Sequence, residues 1–186
     1  QGLVICLLNR WHESSSGKDY DSRGILVDSL APTTSAAAVH EALDKVDFSR
    51  FRPFTLVALD PEEERSWAWD GNTMTSGPAE PPLVSSSYAF AEVLAARKAR
   101  FSALTTGGKL GDALRAYHQD TEDGPSAFTT RMCREDAQTW SRSAVAVLAG
   151  QVKWRYLEET DFLRNSPREF QIALRRAPGT EDPIAC

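Results

Sequence analysis

An α+β fold, with antiparallel strands and helices gathered between them, is what the order of patterns along this chain predicts. Three observations carry that expectation. An apolar run opens the sequence at residues 2–8. Two pairs of short runs with β-branched, alternating residues follow, at 54–69 and 144–157. Stretches with helical spacing stand between them, at 25–45 and 88–118. No linker long enough to divide two cores interrupts the 186 residues. Residues 1–176 therefore read as one domain, and 177–186, with Pro, Gly and acidic residues, as a disordered tail.

The first run, from Gly2 to Leu8, reads as a buried strand that ends at the polar pair Asn9-Arg10. A buried central strand needs a neighbour on each side for its backbone groups. Position 1 is Gln rather than Met, so the expectation is that upstream sequence, holding earlier strands, is missing. Residues 12–21 are a polar loop. Ser22-Arg23-Gly24 opens a short helix over 25–30, stopped by Pro32. Thr33, Thr34 and Ser35 offer N-caps for a second helix over 36–45, with Val39 and Leu43 on one face. Residues 54–59 are a buried strand, and 65–69 return from it with Trp67 and Trp69 on one face. Asp70-Gly71-Asn72 ends that strand with turn chemistry. Pro, Gly and Ser make 75–82 a loop. A short strand over 83–87 then leads to a helix from 88 to 104, and Gly107-Gly108 separates it from another over 109–118. The runs 144–148 and 152–157 alternate as a hairpin with one wet face does.

Composition narrows the function. Hydrophobic residues are 41% of the chain and charged ones 25%, ordinary for a globular domain. The net charge is −5, and Lys and Arg are scattered along the sequence, which argues against nucleic acid as the partner. No apolar run reaches the ~20 residues of a membrane span. Three cysteines, Cys6, Cys133 and Cys186, lack metal-ligand spacing and fit reduced thiols in a cytoplasmic chain. Cys6, inside the apolar run, is expected to be buried as a small hydrophobe. His12, His40 and His118 are far apart, with neither a metal site nor a haem-ligand pattern around them, and no cofactor is called for.

Five segments in order carry a resemblance. They are Gly2 to Arg10; Ser22-Arg23-Gly24-Ile25-Leu26-Val27; Phe51-Arg52-Pro53 running on to Asp60; Ser85-Ser86-Ser87 before a helix with Arg97 and Phe101; and Met132-Cys133-Arg134-Glu135-Asp136-Ala137-Gln138-Thr139. Over roughly residues 2–160 this order and spacing resembles the NRDE family, also called the transport and Golgi organization protein 2 family. The resemblance implies a four-layer αββα sandwich of the N-terminal-nucleophile hydrolase type. It also implies a nucleophilic cysteine exposed by removal of an initiator Met, with Asn-Arg-Asp-Glu some way downstream. Neither motif is present in this chain, so the nucleophile is absent from it. Such a cysteine would supply the thiolate and, in its own α-amino group, a base suited to neutral pH.

Asn9 is the catalytic candidate. In amide hydrolases that the resemblance brings in, a Gly-Leu-rich strand ends in an Asn whose side-chain amide helps hold the oxyanion. The alternative is that Asn9 satisfies backbone groups at a strand end. Arg23 and Ser86 are the binding candidates: Arg23 for a carboxylate or phosphate, against capping or salt bridging, and Ser86 where some relatives carry Asn, against simple N-cap chemistry. Arg131, Arg134, Glu135 and Asp136 read as a solvated charged face, and Trp67, Trp69, Trp140 and Trp154 as core or pocket lining. Two functions follow, beside the blander reading of an interaction scaffold that retains an enzyme's fold. One is hydrolysis of a small-molecule amide by a complete enzyme. The other is non-catalytic carriage of a hydrophobic metabolite, haem or lipid, with a place in Golgi or lipid homeostasis.

Overall fold

Six residues at 54–59, Phe-Thr-Leu-Val-Ala-Leu, place large apolar side chains on alternate positions, and a sheet grows to either side of them. The computed structural model describes residues 2–10, 19–107, 109–121, 124–148, 151–158 and 168–173. Strands β1 (Val4–Asn9), β2 (Phe54–Leu59), β3 (Glu64–Trp69) and β4 (Met74–Pro78) form an antiparallel sheet in the order β1-β2-β3-β4. Strands β5 (Ser141–Leu148), β6 (Gln151–Glu158) and β7 (Arg168–Ala173) form a second, also antiparallel. The helices are α1 (Arg23–Leu30), α2 (Ala36–Leu43), α3 (Phe90–Thr105) and α4 (Leu110–Gln119), with one 3-10 turn at Phe48–Arg50. The protein is α+β. The expected tail at 177–186 lies outside the described residues, as does most of the loop at 12–21.

One face of the first sheet makes the core. Phe54, Leu56 and Ala58 of β2 and Trp67 and Trp69 of β3 meet Leu26 and Leu30 of α1 and Ala36, Val39 and Leu43 of α2. Ser22 caps α1 by accepting the Gly24 N–H at 3.2 Å, and Ser35 caps α2 by accepting the Ala38 N–H at 3.1 Å. Trp67 is 1% exposed and still finds a partner for its indole N–H, donating to His40 Nδ1 at 3.2 Å. Trp69 donates to the Phe51 carbonyl at 3.1 Å.

Four expectations are corrected here. β1 is not buried on both faces: among the described residues it pairs only with β2, at the sheet's edge, and packs Ile5 and Leu7 on the core. Cys6, between those two, is exposed rather than buried, because the strand's period of two turns it to the opposite face. Residues 74–78 form β4 despite Gly77 and Pro78, since an edge strand can leave one side unpaired. Residues 83–87 form no strand.

In the second sheet, Val145, Trp154 and Phe170 stand in one cross-strand row and Val147, Val152 and Ile172 in the next. The wet face expected of this hairpin includes its apolar rows: Val145 is 49% exposed, Phe170 43% and Ile172 51%.

Candidate functional site

Asn9 ends β1 at a junction of four segments. The Arg10 N–H donates to the Pro53 carbonyl at 3.1 Å, and Arg23 Nη1 donates to the same carbonyl at 2.7 Å. The Ser85 hydroxyl donates to the Asn9 carbonyl. The end of β1, the start of α1, the residue before β2 and the segment before α3 therefore meet at one point. The Asn9 side chain is exposed, and its amide has no hydrogen-bond partner among the described residues.

Three cavities share Asn9. The first, of about 450 Å³, is lined by Arg10, Arg23, Arg52, Arg97 and Arg134 together with Ser85, Ser86 and Ser87. The second, of about 420 Å³, runs under α3, where Pro78, Pro82, Leu83, Phe90 and Leu94 give it an apolar part, and Arg10, Lys98 and Glu80 add two cations and an anion. The third lies between β1 and α1, with Leu7, Val27, Arg23 and Arg52 around it. Volumes of this size suit small molecules.

The arginines are held differently. Arg97, on α3, forks into the loop before β5, donating to the Ala127, Phe128 and Thr129 carbonyls at 3.3, 3.3 and 3.0 Å. Burial lowers its pKa from the ordinary value. Arg134 pairs with Asp136 at 3.0 Å and lies 5.6 Å from the centre of the Tyr88 ring. Arg52 lies 5.6 Å from the Tyr20 ring centre. Burial first, and then the charge of Arg52, lowers the pKa of Arg23. Arg10 is within electrostatic reach of Asp70.

All three site residues expected from sequence line the first cavity. Arg23 is the first residue of α1, whose cap is Ser22. Ser86 is not an N-cap: its hydroxyl accepts the Tyr88 N–H at 3.1 Å and donates to the Tyr88 carbonyl at 2.7 Å, closing a turn ahead of α3. The residue before α3 is Ala89, in left-handed backbone with φ 38°. Arg134 is only partly a solvated charge, its side chain being 16% exposed. Ser85 and the arginines at 10, 52, 97 and 134 were not expected here. Their separations in sequence follow no helical or strand period, and only the tertiary fold joins them.

Neither Cys6 nor Cys133 lines these cavities. His40 is engaged by Trp67, and His118 lines a separate cavity with Arg131 and Arg142. Trp67 and Trp69 are core, whereas Trp140 is 70% exposed. Among the described residues no group of three or more His, Cys, Asp or Glu is placed to hold a metal ion, and no helix is long and apolar enough to cross a membrane. No protein-family model matches the chain, and no curated protein matches it.

Proposed function

We propose that the cleft at Asn9 is the small-molecule site of a cytoplasmic amide hydrolase of the NRDE type, on an αββα sandwich. In that reading Asn9 presents its side-chain amide to the oxyanion formed when a cysteine thiolate attacks a carbonyl. The observation that carries it is the Asn9 amide, without a hydrogen-bond partner among the described residues, at the meeting of three cavities, on a strand end held by Ser85, Arg10 and Pro53. A pre-aimed donor of this kind is worth ~10²–10³ in rate. The two antiparallel sheets and the five segments that carry the family resemblance are consistent with it.

The test is acylation of the protein as its own gene expresses it. A thiol-directed acyl probe should label an N-terminal cysteine, mapped by peptide mass spectrometry, and Asn9→Ala should slow that labelling by ~10²–10³. No labelled cysteine, or equal rates in the variant, overturns hydrolysis.

The apolar lining under α3 favours a second reading, carriage of a hydrophobic metabolite such as haem or a lipid. Saturable binding without turnover would distinguish it, and titration with haem giving no saturable Soret change would remove haem as its cargo.

A further inference from the structure

The fold gathers positive charge that the sequence disperses. Five of the chain's 21 Lys and Arg residues line one cavity, in a protein whose net charge is −5, and among the described residues no Asp or Glu lines it. Two of the five have carboxylates near them: Asp136 pairs with Arg134, and Asp70 lies within reach of Arg10. No ion pair among the described residues engages Arg23, Arg52 or Arg97. Like charges brought together at the edge of low dielectric repel, and the cost falls when an anion enters. Burial, and then the charge of Arg52, lower the pKa of Arg23 from its ordinary value, in the direction that such crowding requires.

The cations also differ in depth. Arg10 and Arg52 are exposed at the rim, while Arg23, Arg97 and Arg134 are half-buried. The rim pair makes no side-chain hydrogen bond among the described residues. Of the serine hydroxyls on the same wall, those of Ser85 and Ser86 already donate to the Asn9 and Tyr88 carbonyls, which leaves Ser87 to add a neutral donor. Planar guanidinium forks match the oxygens of carboxylate and phosphate, and their bonds to such groups are about twice as strong as neutral ones. The cavity, about 450 Å³, fits a small molecule better than a polymer backbone, which needs an extended stripe.

We propose that this cavity is an oxyanion-recognition subsite, binding a carboxylate or phosphate group of a small ligand whose remainder lies beside Asn9. The proposal deepens the reading of the Asn9 cleft as a small-molecule site. It makes the preferred ligand of either function an anion.

The test is binding, read without catalysis. The chain is titrated with inorganic phosphate and, separately, with hexanoate, at constant ionic strength, while arginine Nε–Hε resonances are followed by NMR. Saturable shifts are expected with at least one anion, and which one saturates identifies the group. The double variant Arg10→Gln/Arg52→Gln, which breaks no side-chain hydrogen bond among the described residues, should bind roughly tenfold more weakly. Arg155→Gln, which removes the pairing with Glu169 on the second sheet, should bind as the parent does. Linear, unsaturable shifts with both anions overturn the proposal, as does equal affinity in the double variant. Because no bond is cleaved in this assay, its failure leaves acyl-probe labelling through Asn9 untouched, and failure of labelling leaves anion binding untouched.

Discussion

The Arg23 guanidinium donates to the Pro53 carbonyl at 2.7 Å, across 30 residues of sequence. That carbonyl also accepts the Arg10 N–H, so a single oxygen fixes the start of α1 and the end of β1 against β2. Arg23→Ala removes one of its two donors and leaves the other. The expected cost is about 1 kcal/mol, read as a lower urea midpoint at unchanged slope. Arg23→Lys should recover part of that loss, since an ammonium can also donate to a single carbonyl.

Asp60 gives the fold a pH dependence. One carboxylate oxygen accepts the Ala36 N–H at 2.7 Å at the start of α2, and the other accepts those of Glu62 and Glu63, each at 2.8 Å. These donors, Ala36 foremost, hold the carboxyl below its ordinary value. A depressed folded-state pKa stabilises the fold above the unfolded value of about 3.9, and that contribution is lost as pH falls through the folded-state pKa. Urea melts at about pH 6 and about pH 3 should show Asp60→Asn less acid-sensitive than the parent. At the higher pH the variant should be less stable by about 1 kcal/mol.

Ala89 holds φ 38° and ψ 54°, a left-handed conformation that its Cβ disfavours by roughly 1 kcal/mol or more. Ala89→Gly removes that strain at a position where glycine is also an acceptable N-cap. The gain is partly offset by the greater freedom of glycine in the unfolded chain. A net stabilisation of about 0.5 kcal/mol is expected, seen as a higher melting temperature; a lower one would show that this backbone conformation is not strained.

Trp67 fills the core and spends its only polar atom on His40. Trp67→Phe should cost about 1–3 kcal/mol, part from the cavity and part from the lost hydrogen bond. His40→Ala leaves the indole N–H unpaired in a buried place and should cost about as much as one lost hydrogen bond to a buried donor, ~1–3 kcal/mol. In a double-mutant cycle the two costs should sum to more than that of the double variant.

Residues near one another in sequence were the legible part. The strand at 54–59 is bounded by Pro53 on one side and Asp60-Pro61 on the other, and it forms over those six residues. Ser22 and Ser35 marked the starts of α1 and α2 because capping is a local bond. β4 was hidden because Gly77 and Pro78 signal a turn unless the strand is known to be an edge. Cys6 was misplaced for a related reason: an apolar run does not say whether one face or both will be covered. The segments that hold Asn9, Arg23, Ser86, Arg52, Arg97 and Arg134 can each be read in the sequence, but their convergence on one cavity cannot, because it depends on packing of α3 against the loop before β5.

Among the described residues Asn9 sits at the last position of an edge strand, tied on one side to Phe54 and at its own carbonyl to Ser85. Edge strands open before the sheets they belong to. The cleft should therefore lose its geometry at temperatures where the Trp67 core is still intact. What the protein does with its ligand would then have a narrower thermal range than the fold itself, and a warm sample could remain fully folded by circular dichroism while its cleft had already let go.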